Sequence, residues 1–198
     1  KSSKCKTTMM NSGDAVVLDI GSGSLKAGFA GDDAPRSYLP NVIGKPKYPK
    51  GMLDPKHKDK YICDEAVTKR GVLKLQYPIQ RGVVTDWDAM EQIYHHIYQQ
   101  ELQLRPEERP LLITEPPHNP KRNREIMMEL LFEKFKVPKT FVTIPAVACV
   151  YACGRMPMIV LDIGEGVTHI MPVWLGGYTV KEAITRVNFG GKDINDYL

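Results

Sequence analysis

Short runs of branched apolar residues alternate with polar turns along this chain, and two of the runs are nearly identical. Residues 16–23 read VVLDIGSG and residues 159–166 read IVLDIGEG. Each run is typical of a buried strand that closes on a carboxylate and then turns sharply at two glycines. The copies lie too far apart for a short solenoid repeat, so they predict two related halves of a split phosphate-binding fold.

Apolar residues at helical spacing predict the clearest helix over residues 86–102, with Thr85 as its N-cap. We interpret this apolar stripe as core rather than as a cofactor site. A second helix is expected from Asn119-Pro120 to about Lys136, because Asn caps helices and Pro fits their first position. Shorter elements are expected as strands over 110–114 and 140–144 and as a helix over 146–152.

Each glycine turn presents backbone N–H groups that can hold an anion, and the adjacent Asp19 and Asp162 suit a hydrated divalent cation. Two such turns facing each other would hold the phosphates and the magnesium of a nucleotide from both sides. Lys26 follows the first turn on a returning strand, where it alternates with apolar neighbours and can face the phosphates. His169 holds the matching position after the second turn, and a packed, hydrogen-bonded histidine is the alternative interpretation.

Other nucleotide-binding signatures are not found in the sequence. No GxxxxGK[ST] loop occurs, and neither turn continues into GxGxxG, which disfavours a dinucleotide fold. The 198 residues are 42% hydrophobic and 25% charged, as in a globular protein of one or two domains. Neither an apolar run of membrane-spanning length nor a signal peptide is recognised, so we expect neither membrane insertion nor secretion.

The net charge and the cysteines argue against two further classes of function, direct nucleic-acid binding and metal binding by cysteines. A net charge of +4 is too small and too dispersed to argue for direct nucleic-acid binding. The four cysteines form no CxxC pair. Cys149 and Cys153 are expected to pack on an apolar helix rather than bind metal, and a reducing, intracellular setting fits.

Two basic segments stand apart from the apolar runs. Residues 1–13 are small, polar and basic, and we expect a disordered extension. Residues 45–60 contain six lysines and three prolines, which predicts an exposed loop rather than a helix or a central strand.

Several longer motifs resemble the actin family in order and spacing. They lie at residues 19–36, 77–88, 112–120, 150–155 and 164–169. The resemblance runs from Asp14 to Leu198. It implies an α/β fold of the actin, Hsp70 and sugar kinase type, with mixed sheets flanked by helices and with two related halves, the second incomplete.

The resemblance also implies a division into subdomains. Subdomain 1, which would be incomplete, would comprise residues 14–40 and 78–152. Subdomain 2 would comprise residues 41–77, with its basic loop at 45–60. Residues 153–198 would begin the second half, as subdomain 3 and the entry to subdomain 4. The basic loop would dock into the next subunit of a filament, with Met52 and Leu53 as its apolar tip. We expect either a portion of a longer protein or a half-actin that exposes apolar surface.

By resemblance, the cofactors are ATP or ADP and Mg²⁺. Asp19 and Asp162 would hold the metal through water, and Pro145 and His169 occupy the catalytic positions. The expected nucleotide contacts are Gly21, Ser22, Gly23, Ser24, Leu25, Lys26, Gly164, Glu165, Gly166 and Val167.

Several residues depart from the actin pattern, among them Ile20, which takes the place of a polar residue in the first hairpin. Pro145 stands where actins have a glutamine that positions the attacking water. Proline has neither a side-chain amide nor an N–H, so we expect hydrolysis slowed by ~10²- to 10⁴-fold, leaving at most a weak ATPase coupled to assembly. Glu165 replaces an aspartate and reaches one methylene further, and Arg81 replaces a histidine near the phosphate-release path.

Three functions are therefore weighed. The first is an ATP-binding cytoskeletal protein that forms filaments or copolymers with actin or actin-like subunits and binds actin-binding proteins, in the cytoplasm or the nucleus. The second is a non-polymerising subunit of a chromatin-remodelling or ciliary complex, whose nucleotide is structural. The third, a phosphotransferase, lacks a candidate catalytic base.

Overall fold

The computed structural model describes residues 14–47 and 58–198. The expectations for residues 1–13 and for the loop tip at Met52 and Leu53 lie outside the described residues. The strands are β1 (Val16–Ile20), β2 (Ser24–Phe29), β3 (Ser37–Pro40), β4 (Ile43–Pro46), β5 (Tyr61–Ile62), β6 (Leu73–Gln76), β7 (Ile79–Gln80), β8 (Val83–Val84), β9 (Leu111–Thr114), β10 (Thr140–Thr143), β11 (Met158–Ile163), β12 (Thr168–Val173) and β13 (Thr185–Val187). The α-helices are α1 (Asp64–Thr68), α2 (Trp87–His96), α3 (Lys121–Glu129), α4 (Pro145–Cys153) and α5 (Gly191–Tyr197).

The largest sheet has five strands in the order β10-β9-β1-β2-β3. Strands β10, β9 and β1 run parallel, whereas β1, β2 and β3 are antiparallel. Parallel neighbours need long crossovers, and α3 lies in the crossover from β9 to β10. This mixed sheet flanked by helices confirms the predicted α/β fold class.

The main hydrophobic core lies between this sheet and α2. Leu18 and Leu25 of the sheet and Met90 and Ile93 of the helix are completely buried, and they belong to one cluster. The apolar stripe of α2 is therefore core, as its spacing predicts.

The boundaries of the two long helices differ from the predicted ones. Asp86, not Thr85, is the N-cap of α2, and its side chain accepts from the N–H of Ala89 at 2.9 Å. The Thr85 hydroxyl instead donates to the carbonyl of Pro78 at 3.1 Å. Pro120 precedes α3 without a side-chain capping bond, so Asn119 is not its cap. Each helix then continues as a π-helical turn, over Ile97–Glu101 and Leu130–Lys134.

A small antiparallel sheet has the order β5-β4-β6. The predicted loop over residues 45–60 is wrong at its start, because Lys45 and Pro46 belong to the central strand and pair with Lys74 and Leu73. Strand β5 pairs only with the first two residues of β4, so Pro46 has a neighbour on one side alone. Its missing N–H is tolerated there for the same reason that proline is tolerated on edge strands.

The second copy of the repeat forms the antiparallel sheet β11-β12-β13. One face packs against α4 through Val150, Met171 and Val173. The prediction of a buried strand is wrong for this copy, because Ile159, Leu161 and Ile163 on the other face of β11 are 72%, 59% and 63% exposed.

The two copies have the same hairpin geometry. Asp19 pairs with Lys26 across β1 and β2, and Asp162 pairs with His169 across β11 and β12. Each turn is closed by one backbone hydrogen bond of 3.0 Å, from Gly21 to Ser24 and from Gly164 to Val167. Among the described residues, no helix is long and apolar enough to cross a bilayer.

Candidate functional site between two glycine turns

The two glycine turns face each other across a cleft of about 390 Å³. Every predicted site residue except Leu25 lines it. The lining residues from the prediction are Asp19, Gly21, Ser22, Gly23, Ser24, Lys26, Pro145, Asp162, Gly164, Glu165, Gly166, Val167 and His169. Leu25 does not line the cleft, because alternation along β2 places its side chain in the core, where it is 0% exposed.

The turns approach each other closely, with one glycine of each turn next to a side chain of the other. A Cβ on Gly23 would collide with the carboxylate of Glu165, and a Cβ on Gly166 would lie 2.9 Å from the Ser22 hydroxyl. The Ser22 Oγ also accepts from the N–H of Gly82 at 2.9 Å. The first turn therefore contacts both the second turn and the β7–β8 hairpin.

Each oxygen of the Asp19 carboxylate accepts from one donor. Thr114 Oγ1 donates to Oδ1 at 2.8 Å, and Lys26 Nζ donates to Oδ2 at 3.0 Å. Thr114 Oγ1 also accepts from the N–H of Ile20 at 3.2 Å, which fixes the hydroxyl between β1 and β9. A carboxylate held in this way has a defined orientation toward the cleft.

His169 is 5% exposed, and its Nε2 has no partner among the described residues. Burial, and secondarily the positive charge of Arg186, lowers the pKa of His169, although the Asp162 carboxylate opposes this. The imidazole is consequently neutral near pH 7. A neutral imidazole with a buried, unpartnered nitrogen can accept a proton from, or donate one to, a bound molecule.

Pro145 occupies the first position of α4, after the extended Ile144. Its fixed φ suits this position, and no side-chain capping bond is present there. Pro145 lies at the cleft but offers it neither a donor nor an acceptor on its side chain.

Arg81 connects the two halves at the edge of the cleft. Its guanidinium binds both oxygens of Asp193, and Nη1 also donates to the carbonyls of Gly166 at 3.1 Å and Asn188 at 3.2 Å. Its own carbonyl accepts from Arg186 Nη2 at 2.7 Å. The ion pair lowers the pKa of Asp193 to about 2 and raises that of Arg81.

The donor set fits a magnesium ion held mainly through water. Within the described ranges 14–47 and 58–198, no three His, Cys, Asp or Glu side chains cluster as a metal cage. Mg²⁺ in nucleotide sites usually keeps several waters and uses one or two carboxylates together with phosphates. Asp19 and Asp162 supply two carboxylates at one cleft.

Two cysteines are not where the sequence predicts. Cys149 and Cys153 are exposed rather than packed, since the inward side of α4 is formed by Ala146 and Val150. Burial nonetheless raises the pKa of the Cys149 thiol, which lies at the cleft. An (i, i+4) pair shows only that both residues share a helix face, not which face.

Sequence reasoning did not find Thr114 and Asn41, which hold the first turn in place. Asn41 donates from Nδ2 to the Gly21 carbonyl at 2.8 Å, and from its backbone N–H to the Gly23 carbonyl at 2.9 Å. Both residues lie outside the glycine motif. Their position at the end of a strand that borders β1, or just after one that borders β2, is the signal that could have pointed to them.

Two related strand–turn–strand units that face each other across a cleft, one on a mixed sheet flanked by helices, define an actin-like α/β fold. The sequence of the whole chain agrees with this fold, because the actin family profile matches residues 10–198. The chain belongs to the actin family.

A relative shows how much of the family fold the chain spans. An actin-like protein from Neurospora crassa is 44% identical over 184 residues, which are 92% of this chain and 48% of the relative. The chain thus spans about half the length of the curated relative it matches.

Proposed function

We propose that this chain binds Mg-ATP between its two glycine turns and acts in assemblies of actin-like subunits. The observation that carries this proposal is the pair of turns with equivalent registers, Asp19 opposite Lys26 and Asp162 opposite His169, around one cleft. Turn N–H groups and Lys26 would hold the phosphates. Asp19 and Asp162 would hold waters of the magnesium, which supplies charge neutralisation at the phosphates.

We further propose that ATP hydrolysis is slow. His169 would orient or deprotonate the attacking water, since its Nε2 is unpartnered and its pKa is lowered. Pro145 lies at the same cleft but cannot orient that water. One of two water-positioning groups would therefore be missing, which corresponds to a rate loss of ~10²- to 10⁴-fold.

The test is phosphate release by the full-length protein and its Pro145→Gln variant. We expect the glutamine to accelerate single-turnover phosphate release by about 10-fold or more, because it restores an amide beside the water. Pro145→Ala is the matched control, because it restores the backbone N–H as Pro145→Gln does but adds no side-chain amide, so it should not reproduce the acceleration. Equal rates in all three proteins would contradict the proposal.

A non-polymerising subunit with a structural nucleotide is the second candidate function. The contacts of Arg81 with Asp193 and with the carbonyls of Gly166 and Asn188 favour it, because they tie the two halves together. Pro145 also favours this function, because a nucleotide that is hydrolysed slowly suits a structural role. Sedimentation of the full-length protein with Mg-ATP separates the candidates: a pellet that forms above a critical concentration supports the filament, and a soluble protein at all concentrations supports the subunit.

The proposed locations follow the two functions. A filament or copolymer would lie in the cytoskeleton of the cytoplasm, with actin-binding proteins as further partners. A subunit of a chromatin-remodelling complex would lie in the nucleus. Imaging of the tagged full-length protein tests these locations.

A further inference from the structure

Asn41 lies in the two-residue link between β3 and β4, behind the first glycine turn. Its side chain is 0% exposed and is not among the residues that line the cleft. Nδ2 donates to the carbonyl of Gly21 at 2.8 Å, and the backbone N–H donates to the carbonyl of Gly23 at 2.9 Å. One buried residue thus holds two carbonyls of the turn.

Holding these carbonyls determines where the N–H groups of the turn point. In a trans peptide the C=O and the following N–H lie in one plane and point in opposite directions. The Gly21 carbonyl is therefore coupled to the N–H of Ser22, and the Gly23 carbonyl to the N–H of Ser24. Both serines line the cleft.

The second turn is also held through two of its carbonyls, those of Gly164, which corresponds to Gly21, and Glu165, which corresponds to Ser22. The carbonyl of Gly164 accepts from the N–H of Gly191 at 3.0 Å, and that of Glu165 accepts from the N–H of Lys192 at 2.9 Å. Both donors are backbone groups at the start of α5. In the first turn, one of the two donors is the Asn41 side chain.

Fold stability alone does not explain a buried amide at this position. The Oδ1 of Asn41 is buried and has no hydrogen-bond partner among the residues that the structure describes. A buried acceptor without a partner destabilises the folded state and offsets much of the gain from the Nδ2 bond. The orientation of the amide follows from its partner, because the Gly21 carbonyl can only accept.

We propose that Asn41 is a positioning residue that directs the N–H groups of Ser22 and Ser24 toward the phosphates of a bound nucleoside triphosphate. This inference rests on the proposed nucleotide function for its ligand, but the order of the turn itself can be measured without any ligand. Asn41 would act through the turn and would not touch the nucleotide.

The test compares Asn41→Ala with Val42→Ala in the full-length protein. Val42 is the neighbouring link residue, is 1% exposed, and packs in the small cluster with Tyr61, Ala66 and Leu73. Both variants keep the link backbone, but only Asn41→Ala removes the donor to Gly21. Three quantities are measured: amide hydrogen exchange across the first turn, the Kd for Mg-ATP, and Tm without nucleotide.

We expect Asn41→Ala to accelerate exchange of the turn amides and to weaken Mg-ATP binding by about tenfold, the effect of one lost hydrogen bond. Val42→Ala should lower Tm at least as much while leaving turn exchange and Kd near their wild-type values. Unchanged turn exchange and unchanged Kd in Asn41→Ala would overturn the inference.

Two further outcomes of this experiment would also decide the role of Asn41. If both variants lose affinity in proportion to their loss of Tm, Asn41 is merely structural and the inference fails. If no version binds Mg-ATP but Asn41→Ala alone loosens the turn, the nucleotide function fails while the ordering of the turn by Asn41 stands.

Discussion

At the scale of single residues, Arg81 connects the first turn region to the second half of the molecule through its side chain. Its backbone has a left-handed φ of 51°, and the following Gly82 has a φ of 79°. Two successive positive φ values are typical of the tight turn between two hairpin strands. The turn aims the guanidinium at Asp193, which lies near the start of α5.

The Arg81–Asp193 pair makes stability depend on pH in the acid range. The folded-state pKa of Asp193 is about 2, below its ordinary 3.8. Its contribution is therefore complete well above pH 4 and is lost as the pH falls toward 2. We expect Asp193→Asn to lower Tm at pH 7, with a difference from wild type that shrinks between about pH 4 and pH 2.

Thermal unfolding across this pH range checks the prediction. Asp196→Asn, on the same helix, is the matched control, because Asp196 acts on Arg81 through its charge, without the paired hydrogen bonds that Asp193 accepts. A difference between wild type and Asp193→Asn that stays constant from pH 7 to pH 2 would rule out the ion pair as its cause.

The sequence predicts the residues of the candidate site itself. It predicts less well the residues that fix the first turn through hydrogen bonds. Asp19 and Lys26 follow from a strand pattern and a glycine motif, both of which are local. Thr114 and Asn41 contact the first turn only after β9 and β3 have paired with β1 and β2. Such hydrogen bonds depend on sheet order, which local periodicity does not contain.

At the scale of elements, α3 is fastened to the end of β9 by a buried carboxylate. Glu115 is 4% exposed and accepts from Arg124 Nε at 3.0 Å and from Asn119 Nδ2 at 3.1 Å. Its second oxygen also binds the Arg124 guanidinium. Removing the arginine would leave a buried charge with fewer partners.

We expect Arg124→Met to lower the free energy of unfolding by about 1–3 kcal/mol, the range for an under-satisfied buried polar group. Urea denaturation measures this. Lys121→Met is the matched control on the same helix, because its 3.6 Å pair with Glu125 is exposed and should contribute less than ~1 kcal/mol. Equal losses in the two variants would contradict the assigned role of the Glu115–Arg124 pair.

The existence of α2, α3 and α4 follows from the sequence, but their ends follow less closely, and α1 and α5 are not predicted. Thr85 and Asp86 are both good capping residues, and local preference cannot choose between them. The Thr85 hydroxyl points to the carbonyl of Pro78 and donates to it, whereas the Asp86 carboxylate accepts from the N–H of Ala89 as the cap. The exposure of Cys149 depends likewise on which face of α4 meets the second sheet.

At the scale of the whole molecule, the repeat in the sequence becomes a cleft between two halves. The turns contact through Ser22 and Gly166 and through Gly23 and Glu165, while Arg81 and Asp193 link the same halves at the edge. The duplicated motif predicts that the turns are related. That they face each other follows from the arrangement of the two sheets, which the motif alone does not give.

Equilibrium binding of Mg-ATP to the full-length protein, to Lys26→Met and to Lys181→Met tests most directly whether a nucleotide binds between the two turns. Lys26 lines the cleft, whereas Lys181 is an exposed control outside it. We predict saturable binding by wild type, a Kd at least about tenfold higher for Lys26→Met, and an unchanged Kd for Lys181→Met. Absence of binding by wild type, or equal affinity in all three proteins, would contradict a nucleotide site between the two turns.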